Sequence, residues 1–187
     1  MLIRFRDHRF INKVYQTAHG IQAMGLFVPK HRNVLAVLGT PSGKVLIPAS
    51  NIVTDAGDIY YAQRGAGEAT TNTFDVHEMC SAGTPAKSAN RSAFTPIAST
   101  EKAHAATYPK TNDDDADNSG GGADVVSYKV SYSKADFNHP AITHGIITNA
   151  TPGATEPLLT GYAFASSFAK TADDTLNVFV NHTKNGV

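Results

Sequence analysis

The residues with the clearest chemical potential sit in one short stretch. Asn112-Asp-Asp-Asp-Ala-Asp-Asn118 precedes Ser119 and three glycines, and it puts Asp113, Asp115 and Asp117 at alternate positions. Hard cations take several oxygen ligands on a tight turn, so this spacing points to calcium held by Asp113, Asp115 and Asp117. The match to an EF-hand loop is partial. Its sixth position is Asn118 where that loop has glycine, and its twelfth is Asp124 in place of glutamate. The competing reading is a solvated acidic loop between strands that could receive a basic neighbour.

Other motifs fail on spacing or context. Gly39-Thr-Pro-Ser-Gly43-Lys44 has three residues between its glycines where a phosphate-binding loop has four, and Val45 stands where the magnesium-binding hydroxyl belongs. A Pro/Gly hairpin turn accounts for it. Ser131 with Lys134, and Ser167 with Lys170, have serine–lysine spacing. That chemistry needs a helix to bring both groups onto one face, and the first pair falls in a strand pattern. His139 and His144 are five apart around Pro140, which sets no metal geometry. The lone Cys80 can form neither an internal disulfide nor a CxxC site. With no nucleophile and base in a sensible context, the chain reads as a non-enzyme without catalytic residues.

The elements that position these residues follow from composition and periodicity. Gly, Pro, Ser, Thr, Asn and Asp supply 79 of the 187 residues, beside 41% hydrophobic residues. Short apolar runs between turn formers favour a mainly β chain with long loops. Val126, Tyr128, Val130 and Tyr132 alternate with polar neighbours, the period of a half-buried strand. Residues 141–148, 158–165 and 175–182 repeat the pattern, and 33–38, 44–47 and 73–80 add earlier strands. Asp55 to Asp58 resembles a capping box opening a short helix that ends at Gly65, with a strand as the alternative. Ile11, Val14, Tyr15, Ala18 and Ile21 share a stripe that predicts a helix over 10–24. Residues 81–123 read as a long loop that lies on a neighbouring subunit or hides short strands such as AFTPIA. The expected fold is an antiparallel β-sandwich over 34–187, preceded by a basic N-terminal helical arm over 1–33.

Sixteen basic and sixteen acidic residues give a net charge of zero, but they are not evenly spread. Residues 1–33 carry Arg4, Arg6, Arg9, Lys13, Lys30 and Arg32 against Asp7 alone, a charge of +5, and the rest carries −5. Those six cations are the expected partner-docking residues. A neutral total argues against a specific or general nucleic-acid binder. No run approaches the roughly 20 apolar residues of a membrane span, and no signal-peptide stretch follows the basic start. The sequons at Asn90, Asn149 and Asn181 are then expected to be chance.

The phrases NIVTDAGDIYYAQRGAGE, YPKTNDDDADNSGGGADVVSYKVSY, HPAITHGIITN and KTADDTLNVFVNHT, within residues 50–187, resemble accessory virion structural proteins of tailed bacteriophages. The resemblance implies a β-sandwich module of the head, neck, tail or fibres, without catalytic residues. The leading expectation is a capsid decoration or cement protein. It would bind the major capsid protein or other virion proteins as a homo-oligomer or symmetric array, in virions assembled in the host cytoplasm. A neck or tail component is the runner-up. A carbohydrate- or receptor-binding sandwich is the alternative of another class. It would present Tyr60, Tyr61 or loop aromatics on an exposed platform, and the absence of Trp weighs against it.

Overall fold

The computed structural model describes the backbone of residues 10–17, 20–27, 34–118 and 120–183, and the side chains of 34–118 and 120–183. The chain divides into two units, Met1–Arg32 and Asn33–Val187. In the first, β1 (Phe10–Thr17) and β2 (Gly20–Phe27) pair antiparallel, from Phe10 opposite Phe27 to Thr17 opposite Gly20. The expected helix over 10–24 is therefore replaced by a hairpin. Gly20 falls inside the helical stripe, and the Phe, Ile, Val and Tyr content of the segment suits strands better.

The second unit contains β3 (Val34–Thr40), β4 (Gly43–Val53), α1 (Asp55–Ala66), β5 (Val76–Gly83), β6 (Phe94–Pro96), β7 (Lys102–Ala103), β8 (Val125–Tyr132), β9 (His139–Thr148), β10 (Leu158–Lys170) and β11 (Thr175–Thr183). Among the described residues these nine strands form one antiparallel sheet in the order β6-β5-β9-β10-β4-β3-β11-β8, with β7 also on β5. The sheet is curled into a half-barrel. The mainly β class stands, while the two layers expected of a sandwich are replaced here by one continuous sheet. Alternation reveals which residues face inward but not which strand lies beside which. The four C-terminal strands are present, yet β8 pairs with β11, and β9 pairs with β10 and β5. On β10 the register with β9 breaks between Ala163 and Phe168, where Ala165, Ser166 and Ser167 are exposed. Such bulges bend a sheet and let it wrap its own core.

The main core includes Leu38, Ile47, Met79, Val130, Ile147 and Tyr162, drawn from both ends of the sheet. A smaller cluster of Cys80, Phe94, Ile146 and Leu158 lies on the alternate positions of the same strands, with Ala89 and Ala93 packed against it. So the 81–123 segment covers part of the second face, and β6 falls within AFTPIA as expected. The Gly39–Lys44 motif is the β3–β4 hairpin, with Thr40 opposite Gly43.

Helix α1 begins at an N-cap, Thr54, whose hydroxyl accepts from the Gly57 N–H at 3.1 Å and donates to the Leu158 carbonyl. Asp55 and Asp58 lie in the first turn and Arg64 in the last, which complements the helix dipole. Gly67 closes it in the left-handed conformation, φ 74°, with its N–H returned to the Arg64 carbonyl. A side chain at Gly57 would collide with the Leu159 backbone carbonyl, so glycine lets the helix seat closely on β10. A Cβ at Gly65 would meet nothing within 4 Å. Gly57→Ala should cost about 2 kcal/mol or more through overpacking. Gly65→Ala should gain about 0.5–1 kcal/mol from helix propensity. Urea denaturation followed by circular dichroism compares the two.

Candidate functional site

Residues 99–110 bridge the two ends of the sheet. Lys102 and Ala103 pair with His77 and Val76 of β5. Two residues on, the Ala105 N–H donates to the Lys129 carbonyl of β8 at 2.7 Å, and Lys110 exchanges backbone bonds of 3.0 and 2.8 Å with Ser127. Side chains reinforce this seam. The Tyr132 hydroxyl donates to the Thr100 carbonyl at 2.7 Å, and the Lys102 ammonium donates to Asp136 at 2.7 Å. The Lys102 and Ser133 bonds hold the Asp136 carboxyl down at about 2. At either end of the strap formed by 99–107, Ser99 (φ 63°) and Thr107 (φ 73°) occupy the left-handed region, which costs non-glycine residues energy, β-branched threonine most of all.

Behind the seam lies a row of histidine and tyrosine rings. His77 meets His104 edge-on at 4.9 Å between centroids, His104 meets Tyr128 at 5.3 Å, and Tyr128 meets His182 at 5.5 Å. The Tyr61 hydroxyl of α1 is 2.9 Å from that of Tyr128 and 2.6 Å from His182 Nδ1. His77 is fully buried, and among the described residues neither of its ring nitrogens has a hydrogen-bond partner. Burial, and after it the neighbouring His104, lowers its basicity well below that of an ordinary imidazole. His104 Nε2 lies 2.9 Å from the Phe74 carbonyl. A carbonyl only accepts, so Nε2 carries the hydrogen and Nδ1 is the basic atom. Among the described residues Nδ1 has no partner. Burial also lowers His104, outweighing the upward pull of the Phe74 bond and of Asp75.

The three alternate aspartates diverge. Lys110 binds Asp113 at 3.0 Å and Asp114 at 2.9 Å, Lys129 binds Asp115 at 2.6 Å, and Lys44 binds Asp117 at 2.8 Å. Asp113 is buried and also accepts from the Tyr108 hydroxyl at 2.8 Å and the Asn118 amide at 2.6 Å. Burial pushes its carboxyl up, but the bonds from Asn118, Lys110, Tyr108 and the Asp115 N–H outweigh it and hold it at about 2. Asn118 and Asn181 exchange amide bonds of 3.1 and 2.8 Å, and the Ser127 hydroxyl joins Asn181 at 2.7 Å. This network fastens the loop to β8 and β11. Among the described residues no group of three or more His, Cys, Asp or Glu side chains is placed to hold a metal ion.

Of the expected docking cations, Lys13 lies in β1 opposite Met24, and Arg4, Arg6, Arg9, Lys30 and Arg32 lie outside the described residues. Tyr60 is buried edge-on against Phe74, and Tyr61 points to the ring row, so this pair forms no exposed aromatic platform. Ser167 is exposed while Lys170 is buried with its ammonium 3.0 Å from the Phe137 carbonyl, which removes the serine–lysine reading. Asn181 is buried, Asn149 accepts from the Thr73 and Phe74 N–H groups, and Asn90 caps the turn at Ser92, so each sequon asparagine has a structural role. Comparison of the chain with family models, curated proteins and solved structures finds no match.

Asp113 titrates lower in the folded chain than unfolded, so acidification favours the unfolded state. Its contribution should be full above pH ~4 and lost as the pH falls towards 2. Asp113→Ala should cost about 2–4 kcal/mol by stranding buried donors, and should flatten the acid limb of a stability–pH profile. Asp114→Asn should change the profile far less, because the Lys110 bond that lowers its carboxyl is on a side chain open to solvent. Because calcium would have to displace Lys110, Lys129 and Lys44, thermal melts with calcium and with chelator should coincide.

Proposed function

We propose that this chain is an accessory structural protein of a tailed-phage virion, a head decoration or cement protein that binds the major capsid protein. The observation that carries the reading is the coincidence of two boundaries. Charge changes sign after Lys30 and Arg32, and the chain divides into units between Arg32 and Asn33. A separate basic unit on an acidic, tightly fastened body is suited to docking. A two-stranded hairpin is marginal alone and needs a packing surface, and in this reading the capsid supplies it. Repetition across a symmetric shell turns modest contacts into durable attachment. The virion phrases between residues 50 and 187 support the same class, and the ion-paired loops suit a body that must stay rigid on a particle.

The test is co-sedimentation with capsids that lack their decoration protein. Full-length protein should saturate them at a fixed ratio, and added salt should weaken the binding. A chain lacking residues 1–33 should bind at least tenfold more weakly while keeping its melting temperature. Equal binding by the shortened chain would remove the arm from the reading. Binding to tails or glycans in place of capsids would overturn the decoration role.

A further inference from the structure

We propose that the strap 99–107 is released by mild acid: protonation of His77 and His104 lifts it off β5 and, with it, off β8, opening the seam while the rest of the sheet stays folded. The geometry places the two imidazoles back to back across this seam. His77 projects from β5 with both nitrogens unpartnered among the described residues, and His104 rides on the strap itself, its ring edge-on to His77 at 4.9 Å. A proton on His104 must go to Nδ1, where none of the described residues offers an acceptor. Two cations facing each other in an apolar site repel as well as lose hydration, so the relief is to move the strap outward.

Among the described residues the surroundings offer little to stabilise such charges. On the β5 side, Asp75 is near His104, but its carboxylate accepts from the Ala150 N–H at 2.8 Å, and Glu78 is held by Arg91 at 2.7 Å. On the strap, Lys102 is already cationic and paired with Asp136. From β8 come the neutral Tyr128 and the cationic Lys129, the latter committed to Asp115. From β11 comes His182, and from α1 come Tyr60, Tyr61 and the cation Arg64, which lies over the Tyr60 ring. The register partner of His77 on β9 is Ile147, which cannot ionise.

The strap is also built to yield first. Its ends carry the strained Ser99 and Thr107, β7 contributes only two paired residues, and the His104 and Ala105 N–H groups each make one backbone bond across the seam. Folding suppresses protonation of both histidines, so above pH ~6.5 they take no proton in either state and the closed form is favoured. As the pH falls below that value the open state takes up protons that the closed state refuses. The opening constant should rise by up to tenfold per pH unit for each histidine. The carboxylates that anchor the seam, Asp136 and Asp113, keep their charge far below this window, so they do not confound it.

Hydrogen exchange read by mass spectrometry, corrected for intrinsic rates, tests this on the full chain at pH 7.5 and 5.5. Peptides covering 99–107 should lose protection at least tenfold on acidification, while those from β10 and β11 keep theirs. His77→Met removes the buried imidazole, and His104→Gln retains an amide donor for the Phe74 carbonyl. The double variant should show no acid-dependent change in the strap. Half-buried His139 and His144 are unaltered in it and serve as internal controls. Unchanged strap protection in the wild type, loss of protection in every segment together, or an equal acid response in the double variant would overturn the proposal. Should the double variant fold poorly, the wild-type comparison of strap with β10 and β11 still decides.

Discussion

A sheet that curls around its own core ends in two edges, and the backbone groups along those edges must find partners. In this molecule one chain segment serves both. Lys102 and Ala103 complete the edge of β5, and Ala105 and Lys110 complete the edge of β8. The rest of the body depends on that join. Met79 and Ile147 come from one end of the sheet and Val130 and Val178 from the other, and they belong to a single core because the ends are tied. Without the strap, β8 would present an open row of donors and acceptors, and the ring row from His77 to His182 would lose one of its members.

The charges around the seam follow from the same requirement. The polar 108–124 loop can cover β8 only if its carboxylates are neutralised where they land. Lys110 from the loop, Lys129 from β8 and Lys44 from the β3–β4 hairpin do so, one for each alternate aspartate. The Lys129 ammonium also lies 5.0 Å from the Phe179 ring centroid, which adds a cation–π contact to the ion pair. The aspartate spacing that suggests a cation site in the sequence is, in three dimensions, a set of separate clamps. Alternate residues of a loop need not converge, and here they fan out to lysines far apart in the chain.

How far the sequence alone reveals this fold is set by which physical signal is local. Val126 to Tyr132 alternate, and Leu176, Val178 and Val180 are buried as expected, although the neighbouring Phe179 is buried too; both segments are strands. Strand order was not legible, because pairing of β8 with β11 across more than forty residues leaves no periodic trace. Within the strand expected over 73–80, the burial of the charged Glu78 has a cause that only tertiary structure shows. Glu78 faces the outer side of β5 and is buried under a bidentate bond from Arg91, at 2.7 and 2.9 Å. The helix expected over 10–24 failed because an apolar stripe of five residues counts less than the glycine inside it and β-favouring neighbours. The histidine row was missed altogether. His77, His104 and His182 are widely separated in sequence, and the one clue, a histidine beside Met79 at an inward strand position, has no meaning until His104 is brought across the seam.

The surface of the body bears on how it could hold a partner. Among the described residues the large exposed apolar side chains are Val45, Ile52 and Ile59. Val45 and Ile52 are seven residues apart on β4, about 23 Å at the usual strand rise, and so do not form one patch. Single exposed apolar residues are ordinary and do not drive association. A body whose apolar surface is spent on its own core, and whose loops are internally ion-paired, has little with which to grip a neighbour by hydrophobic contact. In the proposed docking role, attachment would draw on net charge and on the N-terminal segment, where the six cations reside. The zero net charge of the chain is thus the cancellation of a basic segment, residues 1–33, against an acidic remainder. In the proposed role it favours contacts in which the basic segment meets an acidic surface.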